Sequence, residues 1–175
     1  MSHVHQVNIS PGGVPKLPVD EAMVTRLGIV GDDHHDKKHH GGPDRALCLF
    51  SLEVIEKMRE EGHDMGPGHA GDNLTITGAD WSTVTPGRRY RVGDEVEIEI
   101  TGYTTPCSTN ARWFIDGDFT RMLQGRYPGE SRVYARVLQE GTLRPGDPFV
   151  PLDQSKEVFR KSTVRDHASS NDSAS

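Results

Sequence analysis

The chain has 175 residues, 33% hydrophobic and 26% charged, with 20 basic against 26 acidic side chains and a net charge of −6. That length suits one domain, or one domain with a tail, able to bury a core without disulfide staples. The acidic balance argues against a broad nucleic-acid footprint while leaving room for a local basic pocket, two cysteines are too few for a disulfide framework, and no apolar run is long enough to span a membrane.

The first ten residues lack a basic segment followed by an apolar one, so no leader is read there. The expectation is a cytoplasmic protein with reduced thiols and neither membrane nor nucleic acid as partner. Nineteen glycines and 11 prolines point to many turns.

Val4 to Ile9 reads as a strand that stops at Ser10-Pro11-Gly12-Gly13. Pro15 and Pro18 keep the next stretch extended. Ala22 to Val30 reads as a further strand ending at Gly31. Arg45 to Phe50 is a nearly continuous apolar run, as in a strand buried on both faces. Ser51 then caps a helix expected to run to about Glu61, with Leu52, Val54, Ile55 and Met58 on one side of the wheel.

Asn73 to Thr77 is a short strand. Glu95 to Thr101 alternates, with Val96, Ile98 and Ile100 inward and the glutamates outward. A second helix is expected from Asp116 or Asp118 to Gly125, carrying Phe119, Met122 and Leu123. Val133 to Leu138 and Pro148 to Leu152 close the series of strands. Strands outnumber helices, so the fold is mainly β, a small closed or half-closed barrel with a few short helices. Residues 1–152 form the domain, and 153–175 form a polar tail with a short helix at Ser155 to Arg165 and a disordered end.

Three places carry candidate chemistry. Cys107 follows Thr104-Thr105-Pro106 just past the alternating strand, with Ser108-Thr109-Asn110 and Arg112 after it. A cation and hydrogen-bond donors around a thiol at a loop mouth suit nucleophilic or metal-binding sulfur; the alternative is a structural cysteine. Cys48 sits inside Ala46-Leu47-Cys48-Leu49-Phe50 and reads as core.

The stretch from His34 to Arg45 holds four histidines and Asp36, but its spacing is not that of a tetrahedral zinc site. His34, His35 and His39 read as a solvated loop. His40 precedes two glycines, which let backbone approach a ligand, and Arg45 either faces a cavity or pairs with Asp44. Third, Gly71-Asp72-Asn73-Leu74-Thr75 brings acid, amide and hydroxyl into one strand. These groups either bond the edge of a heterocycle such as a pterin or form a turn bonded to its own backbone. Gly66-Pro67-Gly68 before it reads as a mobile loop.

Taken in order, Gly31-Asp32, His40-Gly41-Gly42-Pro43-Asp44-Arg45-Ala46, Gly71-Asp72-Asn73-Leu74-Thr75, Gly93-Asp94, Pro106-Cys107, Val133-Tyr134-Ala135-Arg136-Val137-Leu138, Gly141 and Gly146-Asp147 resemble the stand-alone bacterial MOSC domain family, named for the C-terminal domain of molybdenum-cofactor sulfurases. The resemblance runs from about Val4 to Leu152. It implies a MOSC-type β-barrel with a pocket for a molybdopterin-type molybdenum cofactor. It also implies molybdenum ion binding and, at the family level, pyridoxal phosphate binding.

On this resemblance Cys107 is the catalytic residue, as a molybdenum ligand or a persulfide-bearing sulfur carrier. His40, Arg45, Asp72, Asn73, Thr75 and Arg112 shape the cofactor pocket. The implied chemistry is sulfur transfer or molybdenum-dependent reduction of a small molecule. With no flavin, haem or iron–sulfur motif, a reductive role needs a redox partner protein. Two positions depart from the pattern: Thr104 stands where many relatives have Arg, and Asp72 where they have Glu. The competing functions are a cofactor-free cysteine enzyme acting on a sulfur-containing small molecule and a non-catalytic module that hands cofactor to a partner.

Overall fold

A computed structural model describes residues 1–33 and 41–152. His34 to His40 lie outside the described residues, as do the tail and the helix expected at Ser155 to Arg165. The strands are β1 (His3–Ile9), β2 (Leu17–Val19), β3 (Ala22–Thr25), β4 (Gly28–Ile29), β5 (Leu47–Ser51), β6 (Leu74–Thr77), β7 (Arg89–Val92), β8 (Val96–Tyr103), β9 (Val133–Gln139), β10 (Gly141–Leu143) and β11 (Phe149–Pro151). The α-helix among the described residues is α1 (Leu52–Glu60).

The fold is mainly β. An eight-stranded sheet runs β11-β7-β8-β9-β5-β6-β1-β2, beside a small sheet β10-β3-β4. The large sheet does not close into a continuous barrel. The β11 end is clasped to the first half of β1, the strand before the far edge, by three backbone bonds: Val4 N–H to Asp147 O, Gly146 N–H to Val4 O and Phe149 N–H to Ser2 O, at 2.7–3.0 Å. Among the described residues its strand pairs are antiparallel except β5 with β6. A parallel pair needs a crossover, and α1 supplies it.

Local chemistry explains most of these elements. Ser51 Oγ accepts from Val54 N–H at 3.3 Å and caps α1, whose Val54, Ile55 and Met58 are buried as the spacing predicts. In β8, Val96, Ile98 and Ile100 are buried, while Glu97 and Glu99 face outward to Arg91 and Arg89 of β7 at 3.4 and 2.8 Å. The expected register therefore holds.

Three expectations change. Ala22 to Val30 is not one strand but a hairpin, β3 and β4. Gly28 takes φ +123°, and a Cβ there would lie 2.8 Å from Ala46 O, so the chain bends where only glycine fits. Between 108 and 122 the backbone forms three short 3-10 turns, not an α-helix. Asp116 sits at φ 55° and breaks the run, while Arg121 holds the last turn to Glu61 beyond α1 at 2.7 and 2.9 Å. β7 and β10, absent from the strands read in the sequence, are strands because their neighbours β8 and β3 supply the pairing.

Candidate functional site

A cavity of about 400 Å³ opens where β5, the end of β8 and the start of β9 meet the segment after β1. Its walls carry Cys48 and Tyr134 from neighbouring strands, Lys16 and the Gly12–Val14 backbone, Ala70-Gly71, Arg132, and Thr105, Cys107, Thr109, Asn110 and Arg112. The size falls within the range of small-molecule sites.

Cys107 reaches the cavity because β8 runs out into an extended Thr104-Thr105-Pro106 and then turns. Pro106 disfavours helix at Thr105, so the first 3-10 turn starts only at Ser108, with Cys107 at its N-terminal boundary. Cys107 is half-buried, and its Sγ lies 3.0 Å from Thr109 Oγ1. Asn110 N–H closes the turn onto Cys107 O at 3.0 Å. On the opposite strand, Arg132 O accepts from Thr104 N–H at 3.0 Å, so the residue before β9 is registered against the approach to the cysteine.

Asp72, Asn73 and Thr75 do not line the cavity; they brace it. Asn73 Oδ1 accepts from Cys48 N–H at 3.0 Å, and its Nδ2 donates to Asp32 at 2.9 Å and Asn8 O at 3.3 Å. Asp72 accepts from Gly68 N–H and Thr75 Oγ1–H at 3.1 and 2.6 Å, and Asn8 Nδ2 donates to Thr75 Oγ1 at 3.2 Å. Complete burial pushes the Asp72 carboxyl above the usual carboxylate range. The Gly66–Gly68 segment, expected to be mobile, is packed. Lys16 N–H bonds Gly68 O at 2.9 Å, and a Cβ on Gly68 would sit 2.2 Å from Lys16 O.

Of the predicted pocket residues, the structure brings Cys107 and Arg112 together. Arg45 lies in an exposed 3-10 turn, its guanidinium 5.3 Å above the Tyr134 ring, and it does not line the cavity. His40 lies outside the described residues. Among the described residues no group of three or more His, Cys, Asp and Glu side chains could hold a metal ion, and no helix is long and apolar enough to cross a membrane.

The sequence reading missed three residues. Lys16 is 4% exposed and paired with the equally buried Asp32 at 2.6 Å, which fixes the wall after β1. Arg132 is 5% exposed, with Nη1 donating to Ala70 O at 2.5 Å and Nε without a partner. Asn110 is 2% exposed, with an unpartnered Oδ1. The only sequence signal for Arg132 was a charge directly before an apolar strand, and its meaning depends on the β8–β9 pairing. Cys48 is buried as expected, and burial pushes its thiol up, but it is also part of the cavity wall.

Residues 36–150 match the family described as MOSC domain. The uncharacterized protein YflK of Bacillus subtilis (strain 168) is 32% identical over 136 residues, covering 77% of this chain and 60% of its own. Protein YiiM of Escherichia coli (strain K12) is 33% identical over 119 residues, 65% of this chain and 53% of its own. The YiiM crystal structure superposes with a TM-score of 0.66 over 88% of this chain and 71% of that one, at 26% identity. A protein of Gibberella moniliformis named "Reductase" is 28% identical over 134 residues, 73% of this chain but 23% of its own length. The chain thus spans little more than half of the first two relatives.

Proposed function

The chain belongs to the MOSC domain family, and on that premise we propose that its cavity binds a molybdopterin-type molybdenum cofactor, with the Cys107 thiolate as a ligand to the metal, in reduction of a small-molecule substrate. The observation that carries this reading is the convergence of the half-buried Cys107 with the buried Arg132 and Asn110 on one cavity of about 400 Å³. The donor set fits the group. A thiolate is a soft ligand suited to a sulfur-rich metal centre, a buried guanidinium suits a phosphate, and an amide suits the edge of a heterocycle. The reductase-named relative, similar over most of this chain, supports a reductive role.

Bound molybdenum would supply two-electron chemistry to the substrate. The chain's own residues bind and orient. Cys107 presents sulfur from the mouth of the cavity, Thr109 Oγ1 steadies it at 3.0 Å, and Arg112 adds positive charge at the exposed rim. Tyr134, Gly12 and Gly13 form part of the cavity walls.

A second reading is favoured by the accessibility of the same sulfur. Cys107 would carry sulfur: its thiolate attacks the terminal sulfur of a persulfide donor, a new S–S bond forms, and the donor leaves as a thiolate. Purification from a host that makes the cofactor tests both readings. Wild-type protein should carry molybdenum and give pterin fluorescence, and Cys107→Ser should lose the metal while keeping its circular dichroism. Wild-type protein with neither metal nor pterin would overturn the cofactor reading. Persulfide on wild-type Cys107 in that protein would favour the second.

A further inference from the structure

We propose that Arg132 forms an oxyanion site inside the cavity and receives a tetrahedral anionic group, a phosphate monoester or sulfate-like terminus, of the small molecule bound beside Cys107. This deepens the proposed function by assigning the ligand's anionic end to a residue that the family pattern does not predict.

The argument begins with what Arg132 lacks. It is 5% exposed, yet no carboxylate lies within ion-pair distance of it among the described residues. Among the described residues its guanidinium makes one hydrogen bond, from Nη1 to Ala70 O, and Nε is buried without a partner. Asp72 acts on the guanidinium electrostatically without forming an ion pair, and a buried charge without a directly paired counterion is unfavourable in a resting fold. The neighbouring Lys16 shows the usual solution, since it is buried to the same degree but carries Asp32 at 2.6 Å.

Arg132 lines the cavity together with Cys107, Lys16 and Arg112, so the cavity is an open direction from which a counterion can reach it. A guanidinium presents a planar fork of N–H donors, which matches a tetrahedral oxyanion better than a point charge does. A second orphan supports a ligand: Asn110 Oδ1, 2% exposed and unpartnered on the same wall, awaits an N–H or O–H donor. Arg132 is also tied through its carbonyl to Thr104 N–H, so it holds a cation across the β8–β9 step from the position where this chain carries a neutral threonine.

An unpaired buried charge that serves binding has a signature that a structural residue lacks: its removal relieves the free protein and harms the complex. The full chain, purified from a host that makes no molybdenum cofactor, is used, with inorganic phosphate and sulfate as probes at matched ionic strength. Each anion should slow alkylation of wild-type Cys107 and raise the melting temperature, and the difference between the two distinguishes phosphate from sulfate recognition. Arg132→Met should need at least about tenfold more anion for the same protection, while melting no lower than wild type without anion. Arg132→Lys, which keeps the charge but loses the fork, should fall between them and guards against a folding failure of the methionine variant. The proposal is overturned if phosphate and sulfate leave wild-type labelling and melting unchanged, or if both variants keep wild-type protection. It is equally overturned if Arg132→Met melts several degrees lower with protection intact. Because the probes are inorganic ions on cofactor-free protein, the outcome is independent of whether molybdenum binds.

Discussion

The 72–75 segment and the 104–112 segment with its neighbour Arg132 flank the same cavity and treat hydrogen bonding in opposite ways. Asp72, Asn73 and Thr75 bond one another, Asn8, Asp32, Gly68 and the Cys48 amide. Across the cavity, Arg132 Nε and Asn110 Oδ1 are unpaired, and Cys107 Sγ touches one hydroxyl. Polar residues in a recognisable motif can therefore build a site without touching what it binds. Ligand-facing groups are those whose hydrogen-bonding capacity the protein leaves open.

The comparison breaks most sharply at the Lys16–Asp32 pair, which belongs with the braced side although Lys16 lines the cavity. Lys16→Met leaves Asp32 buried without its cation and should lower unfolding free energy by about 3–5 kcal/mol in urea titration. A loss below about 1 kcal/mol would move Lys16 to the ligand-facing side. Asn73→Ala removes bonds to three segments, including the buried Cys48 amide, and should destabilise by about 3 kcal/mol. An Asn73→Ala protein of unchanged stability that no longer took up the proposed cofactor would reverse the assignment.

Asp72 sharpens the contrast through pH. Burial raises its folded pKa above the unfolded value, so the folded state holds the proton more tightly. The resulting stabilisation is full below the unfolded pKa and is lost as pH rises through the folded one. Wild-type melting temperature relative to Asp72→Asn should therefore increase as pH falls from neutral toward the ordinary carboxylate range. A gap that does not vary with pH would show that Asp72 is not so strained by burial. The smallest stability effects belong to the other side: Cys107→Ser and Arg112→Ala should stay within about 0.5 kcal/mol of wild type. In native protein Cys107 should also be alkylated much faster than the buried Cys48. Faster labelling of Cys48 would reverse the two cysteines' roles.

The parts legible in the sequence were those that local pattern controls. The alternation of Val96, Ile98 and Ile100, the Ser51 cap and the placing of Cys107 beyond a strand end all follow from spacing and turn chemistry. β10 and β7 were not legible, because short polar strands exist only through their partners. The motif at 71–75 was found, but its bracing role was not, since the same amide and carboxylate serve a heterocycle or a backbone equally well. Arg132 was invisible because its burial and its lack of an ion pair among the described residues are properties of three-dimensional surroundings alone.

The clasp between residues 2–4 and 146–149 has a kinetic consequence. β1 can pair with β6 as soon as residue 77 has emerged from the ribosome, but the clasp must wait for residue 149. Closing so long a loop carries a larger entropic penalty than the hairpin pairings, which places it late in folding. During that interval the first half of β1 presents an open edge, a template for pairing with another nascent copy. Slowed synthesis between β6 and β11 should therefore increase aggregation during expression without altering the stability of the finished protein.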